Sequence, residues 1–80
     1  MPYYFYIWDG VNEEHLAEHG ITIDEFIHVV SNPHRLERSS SSGRWIAFGY
    51  VEERYLACVY EQFDEFQIYP ITAYEIEENL

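Results

Sequence analysis

The sequence of 80 residues contains no lysine and only four arginines against fifteen aspartates and glutamates, so its formal net charge is −11 at pH 7. Nonspecific binding of nucleic acid depends on cations that neutralise phosphates, and we therefore expect the surface as a whole to repel a polyanion. All four arginines lie within residues 34–54, where three glutamates leave a net charge of +1. If RNA is a ligand, residues 34–54 are expected to bind it; the alternative is that the arginines pair with acids of the same chain.

Cysteine and long apolar runs are also scarce. A single cysteine, Cys58, cannot form an intramolecular disulfide, which is typical of a reducing compartment. No apolar run approaches the roughly 18 residues of a membrane-spanning helix, and residues 1–8 lack the basic start and the cleavage site of a signal peptide. We therefore expect a cytoplasmic protein without membrane contact, folded as a single domain over residues 1–80 because a second core would be too small.

The first part of the chain predicts a strand followed by two helices. Residues 3–8 are aromatic and apolar, which favours a short buried strand. A helix of about two turns should follow, with Asp9 or Asn12 as its N-cap and Gly20 at its end. The sequence of residues 22–25, Thr-Ile-Asp-Glu, is a capping box and predicts a second helix that ends near Ser31.

The second part of the chain predicts three or four strands. Residues 54–61 are the most continuously apolar and should form the central strand, while Pro70 indicates an edge or a bulge. Helices that precede a group of strands predict an α+β fold, in which the short N-terminal strand and two helices pack on an antiparallel sheet of four to five strands in a meander. The strands are expected at residues 34–39, 44–51, 54–61 and 66–71, and the tail 75–80 as a turn or a short helix.

Two constellations could carry chemistry. Residues 15–19 read His-Leu-Ala-Glu-His, which matches the H-x-x-E-H zinc pattern, but no third ligand is evident and we expect a structural or capping role. We therefore predict neither a metal site nor a cofactor. A metal-independent ribonuclease needs a base, an acid and cations; the arginines would be the cations, and the proton carriers would come from His28, His34, Glu61 or one of the eight tyrosines.

The order and spacing of several short motifs resemble those of the BrnT-type toxins, which are RelE-like proteins of bacterial toxin–antitoxin systems. The motifs cover most of the chain, from Trp8 to Glu75. They are Trp8-Asp9 with Asn12, His19-Gly20-Ile21-Thr22, Glu25 with Val29, Asn32-Pro33, Arg44 to Gly49, and Arg54-Tyr55-Leu56 with Val59.

This resemblance implies a RelE-like fold and a toxin-like component of a type II system, a ribonuclease or translation inhibitor that a cognate antitoxin neutralises. Arg44 and Arg54 stand at matching positions and would bind the substrate phosphate, and in a ribonuclease of this kind Tyr60 and Tyr74 would supply stacking or proton transfer. Tyr60 stands at a position that is often histidine in the family. Members of the family also tend to be basic, and their last strand reads S-A-R-K, where this chain has Thr-Ala-Tyr-Glu at residues 72–75.

These departures leave two hypotheses open. In the first, the chain is a ribonuclease with Arg44, Arg54, Tyr60 and Tyr74 as its catalytic residues. In the second, it is a catalytically silent relative whose acidic, tyrosine-rich surface binds a cognate antitoxin or another basic protein. The aromatic content also makes a homodimer a candidate assembly.

Overall fold

A computed structural model describes residues 4–77, in which two helices cover one face of a five-stranded mixed sheet. The sheet order is β1-β5-β4-β3-β2. The predicted α+β class and the central position of the strand at residues 54–61 are confirmed. The strands are β1 (Phe5–Tyr6), β2 (Arg35–Arg38), β3 (Trp45–Val51), β4 (Arg54–Gln62) and β5 (Gln67–Glu75), and the helices are α1 (Gly10–Glu18) and α2 (Ile23–Ser31).

Both helices begin with a capping box. The Asp9 carboxylate accepts hydrogen bonds from the amides of Val11 and Asn12, and the Asn12 side chain accepts one from the Asp9 amide, each at 2.9 Å. At α2 the Thr22 hydroxyl accepts from the Glu25 amide (3.1 Å) and the Glu25 carboxylate accepts from the Thr22 amide (2.9 Å). These bonds satisfy amides that have no partner within the helix. The capping box of α2 was predicted from the sequence, whereas for α1 only a choice of N-cap between Asp9 and Asn12 was predicted.

The helices also end where the sequence indicates. Gly20 follows α1 with a φ of 69°, and the amides of Gly20 and Ile21 donate to the carbonyls of Ala17 and Leu16, both at 3.0 Å. This is a Schellman arrangement, which glycine adopts without the steric cost of a Cβ. α2 ends at Ser31.

The direction of β1 differs from the expected antiparallel sheet. Strands β2 to β5 pair antiparallel in succession, but β1 runs parallel to β5. The amides of Phe5 and Ile7 donate to the carbonyls of Phe66 (2.6 Å) and Ile68 (2.9 Å). Short turns impose opposite directions on neighbouring strands, whereas β1 and β5 are far apart in the chain and no hairpin constrains them.

The irregularity predicted near Pro70 is a bulge within β5, not a sheet edge. Val59 pairs with Thr72 and Tyr60 pairs with Pro70, so Ile71 is the extra residue. The Ile71 carbonyl is hydrogen-bonded to His15 Nδ1 (3.1 Å), which ties the bulge to α1. β5 continues to Glu75, beyond its expected end, and residues 78–80 of the expected tail lie outside the described residues.

The two faces of the sheet have different environments because side chains alternate along each strand. The helix-covered face holds the main core, to which α1 and α2 contribute Leu16, Ile21, Phe26, Val29 and Val30, and the strands contribute Ala47, Leu56, Cys58, Tyr60, Ile68 and Ala73. The opposite face, called here the uncovered face, holds a smaller cluster of Phe48, Tyr55 and Ala57 with Ile46, Tyr74 and Ile76 packed against it.

We expect Asn12→Ala to lower the free energy of unfolding by about 2 kcal/mol or more. Asn12 is 1% exposed, and its side chain also donates to the Ile7 carbonyl (2.8 Å), so the truncation leaves both this carbonyl and the Asp9 amide without a partner. Urea unfolding followed by tryptophan fluorescence measures the loss. Glu14→Ala, an exposed position of the same helix, is the matched control, and equal losses in the two variants would contradict this role of Asn12.

Candidate functional site

The four residues predicted to be catalytic lie on two different faces of the sheet. Arg44 and Tyr74 are on the uncovered face, as shown by the ion pair of Arg44 with Glu61 and by the place of Tyr74 in the smaller cluster. Tyr60 is in the main core, and Arg54 reaches toward the helices. The structure therefore brings no more than two of these four side chains to one face.

Arg54 is held by three elements of the fold. Its Nε donates to Glu75 at the end of β5 (3.1 Å), its Nη1 donates to Glu25 of α2 (3.3 Å), and its Nη2 lies 3.4 Å from the Gly20 carbonyl. Glu75 stands where the resemblance places a lysine of the toxin family. The acid at this position thus neutralises the arginine that would bind a substrate phosphate.

Tyr60 is a core residue and is 5% exposed. Burial raises the pKa of Tyr60 to about 12, with smaller contributions from Tyr4, Tyr6 and Cys58. A phenol in this environment keeps its proton at neutral pH and is too deeply buried for a substrate to reach it. The signal for this position was present in the sequence, because alternation from Leu56 and Cys58 places Tyr60 on the same buried face.

Arg44 and Tyr74 are more accessible. Arg44 Nε donates to Glu61 Oε1 at 3.1 Å, and both side chains are close to half exposed. Exposed pairs of this kind contribute about 1 kcal/mol or less, so a ligand phosphate could displace the carboxylate. Tyr74 is half-buried, and its ring centroid lies 6.3 Å from that of His19.

The structure also brings together a cluster that the sequence did not indicate as a unit. His34 Nδ1 is hydrogen-bonded to the Tyr55 hydroxyl (3.0 Å), the Tyr50 and Tyr55 ring centroids are 4.6 Å apart, and the Arg35 guanidinium lies 4.3 Å from the centre of the Phe48 ring. We call these five residues the His34 cluster. Its members come from β2, β3, β4 and the residue before β2, so only the strand register makes them neighbours.

The remaining arginines have partners too. Arg35 forms an ion pair with Glu37 (3.0 Å), in which both side chains are more than half exposed. Arg38 donates from Nε to the Gly43 carbonyl (3.1 Å) and lies 5.1 Å from the Trp45 ring centre. Every arginine of the chain therefore contacts an acid, a carbonyl or a ring of the chain itself.

His15, His19 and the cysteine have structural surroundings. His15 binds the bulge carbonyl of Ile71, and His19 is the C-cap of α1. Cys58 is fully buried, and burial raises the pKa of its thiol to about 12, with a smaller effect of Glu25, so this sulfur is a poor nucleophile. Among residues 4–77 no group of three histidine, cysteine or acidic side chains is placed to hold a metal ion.

Comparisons with protein-family models, with curated proteins and with solved structures find no match. The resemblance to the BrnT-type toxins therefore depends on the motifs of the sequence alone. No helix in the described part of the chain is long and apolar enough to cross a membrane.

The buried phenol of Tyr60 should make stability depend on pH in the alkaline range. An unfolded tyrosine titrates near pH 10, whereas Tyr60 in the fold keeps its proton up to about pH 12. Below pH 10 both states hold the proton; above it the unfolded state alone loses it, so the free energy of unfolding falls as pH rises, by about 1.4 kcal/mol per pH unit.

Tyr60→Phe removes this titrating group, so the free energy of unfolding of the variant should fall less steeply than that of the wild type between about pH 10 and pH 12. Urea unfolding across this pH range gives the free energy of unfolding of both proteins. The gap between the two values at neutral pH is the baseline from which the change at alkaline pH is measured. Parallel stability curves above pH 10 would be inconsistent with a buried Tyr60.

Proposed function

We propose that this chain is a divergent, RelE-like component of a type II toxin–antitoxin system that acts in the cytoplasm by binding a basic protein partner, and that it does not cut RNA. The observation that carries this function is the distribution of charge. All four arginines are engaged inside the chain, whereas exposed carboxylates on the helices have no cationic partner among the described residues.

The helix layer shows this imbalance most clearly. Glu13, Glu14 and Glu18 of α1 and Asp24 of α2 are exposed, and none of them forms an ion pair within residues 4–77. A surface of this sign attracts a basic protein and repels RNA, because long-range electrostatics governs both encounters.

The positions of Arg54 and Tyr60 also favour binding over catalysis. Two carboxylates already neutralise Arg54, and Tyr60 is enclosed in the core. A site built from them would lose charge-assisted hydrogen bonds to phosphate, each of which contributes roughly 1.5–3 kcal/mol. The order of elements supports the proposal, since two helices precede four successive antiparallel strands, but β1 runs parallel to β5.

Inducible expression in a bacterial host should give soluble protein without growth arrest. The tagged chain should also capture the small basic protein encoded beside it, with an affinity that falls as salt is raised, because screening weakens attraction between exposed charges. Growth and translation rates measure the first effect, and titration of the two purified proteins measures the second.

The Arg44→Ala variant is the control for toxicity, because Arg44 is close to half exposed, whereas removal of Arg54 would also weaken the contacts between helices and sheet. Arrest by the wild-type protein that this variant relieves would overturn the proposed function in favour of toxin chemistry. Purified protein that stays monomeric and captures no basic protein would overturn it as well.

The His34 cluster favours a second candidate, a metal-independent ribonuclease that uses His34, one of the proton carriers offered by the sequence, in place of the four catalytic residues Arg44, Arg54, Tyr60 and Tyr74. His34 and Tyr55 are hydrogen-bonded and could exchange a proton, and Arg35 is beside them on the same face. Because the Arg35–Glu37 pair is exposed, it would open at little cost to admit a phosphate. A base, an acid and a cation are what cleavage through the ribose 2′-hydroxyl requires.

If the chain cuts RNA, His34→Ala should slow cleavage by roughly a hundredfold or more, the usual effect of losing a general acid or base. Incubation of purified protein with total RNA, followed by analysis for 2′,3′-cyclic phosphate ends, measures the rate. His28→Ala, an exposed histidine of α2, is the matched control. Under the main proposal, the wild-type protein produces no more of these ends than the His34→Ala variant.

A further inference from the structure

Three phenylalanines are largely exposed at the end of the sheet where the β4–β5 hairpin meets β1. Phe5 is 68% exposed, Phe63 is 58% exposed and Phe66 is 57% exposed. We call these three residues the phenylalanine corner. Single apolar residues on a surface are ordinary, but three exposed aromatic rings in adjoining segments are typical of an interaction site.

Hydrogen bonds fix the backbone of this corner. The Phe5 amide donates to the Phe66 carbonyl (2.6 Å), and the Phe63 amide donates to the Gln67 carbonyl (2.9 Å). The Asp64 carboxylate accepts from the amides of Phe66 (2.8 Å) and Gln67 (2.9 Å), which closes the turn. The rings are therefore presented by an ordered turn, so the turn itself loses little chain entropy when a ligand binds.

The base of the corner is also held in place. The Phe63 ring stacks on that of Tyr69, with centroids 6.2 Å apart and an angle of 13° between the planes. The Tyr69 hydroxyl in turn donates to the Asp9 carboxylate at 2.6 Å. This bond is the main cause of both the lowered pKa of Asp9 and the raised pKa of Tyr69. Asp9 therefore carries its negative charge next to Tyr69 at neutral pH.

The charges around the phenylalanine corner have one sign. Asp64 and Glu65 are exposed in the turn itself, and neither forms an ion pair among the described residues. The nearest arginine along the sheet, Arg44, is already paired with Glu61. A ligand that covers the rings would therefore gain from cations that face Asp64 and Glu65.

The adjoining strand offers a place for main-chain pairing. β1 lies at one edge of the sheet, and no strand pairs with its outer side in residues 4–77. The amides of Phe5 and Ile7 are used toward β5, so the alternation of a parallel pair directs the Tyr6 amide outward. An extended peptide can add to such an edge, with main-chain bonds for affinity and side chains for specificity.

From these observations we propose that the phenylalanine corner binds an extended basic segment of the protein partner, whose apolar side chains cover the three rings and whose cations face Asp64 and Glu65. This inference rests on the proposed function, because it locates the surface that a basic partner would use. A second copy of the chain is disfavoured as the occupant, since two chains of net charge −11 would repel each other.

A short labelled peptide of alternating lysine and leucine is a suitable probe, with binding followed by fluorescence anisotropy. We expect Phe63→Ser/Phe66→Ser to weaken its binding by about tenfold or more. Leu36→Ser, which removes an apolar side chain that is 47% exposed on the opposite edge strand, is the matched control and should bind as the wild type does. Asp64→Asn/Glu65→Gln removes both charges but retains a side-chain oxygen at position 64 that can accept from the amides of the turn. This variant should weaken peptide binding mainly at low salt, where charges are least screened.

Two further peptides separate charge from apolar contact. A lysine–serine peptide should bind at least about tenfold more weakly than the lysine–leucine peptide, because it cannot cover the rings. Equal binding of the two would overturn the inference, and so would unchanged binding by Phe63→Ser/Phe66→Ser. A glutamate–leucine peptide that binds as well as the lysine–leucine peptide would overturn the part played by Asp64 and Glu65.

Capture of the neighbouring basic protein distinguishes this inference from the proposed function. Capture that Phe63→Ser/Phe66→Ser weakens supports both. If the variant captures the basic protein as well as the wild type does, the proposed function stands but the corner is not its docking surface. If the wild type captures no basic protein, the proposed function itself is overturned. Dimerisation of the wild type that the same substitutions abolish would assign the corner to a second copy and overturn the inference.

Discussion

The guanidinium of Arg54 joins three parts of the fold through polar contacts. It links the end of α1 through the Gly20 carbonyl, the start of α2 through Glu25, and the end of β5 through Glu75. In a chain with four cations, each arginine used in this way is no longer free for a ligand. Arg54 cannot bind a substrate phosphate while it holds the helices to the sheet, because a phosphate would have to replace these contacts.

This commitment shapes the distribution of charge over the molecule. On the uncovered face Arg35 and Arg44 are balanced by Glu37 and Glu61, so this face is close to neutral despite the overall charge. The excess of acid lies instead on the helices and in the turns. Attraction of a basic partner is thus directed to the helix layer and to the β4–β5 turn, and the face on which a ribonuclease site would lie gains no positive field to recruit RNA.

The parts of the fold that local chemistry determines could be predicted from the sequence. The capping box of Thr22 and Glu25 and the glycine after α1 set the limits of the helices, and the apolar run of β4 gave its central position. The direction of β1 and the bond between His34 and Tyr55 depend on pairing between distant segments, which no local rule specifies. The bulge at Ile71 was indicated by the neighbouring Pro70, although the choice between a bulge and an edge was not. The Tyr50–Tyr55 contact was within reach, because the short turn at Glu52-Glu53 places these residues opposite each other.

The location of the exposed aromatic rings distinguishes a protein ligand from a nucleic acid. Phe48 and Tyr55 lie on the uncovered face, yet they are buried because they stack on each other, with ring centroids 6.1 Å apart, and pack against their neighbours. A base needs an accessible ring on which to stack, and these two rings offer little surface. The rings of the phenylalanine corner are accessible, but they share their turn with Asp64 and Glu65, which would repel a phosphate backbone. Exposed aromatic surface next to uncompensated carboxylates is complementary to a cationic, partly apolar protein segment, and this combination favours a protein partner over RNA.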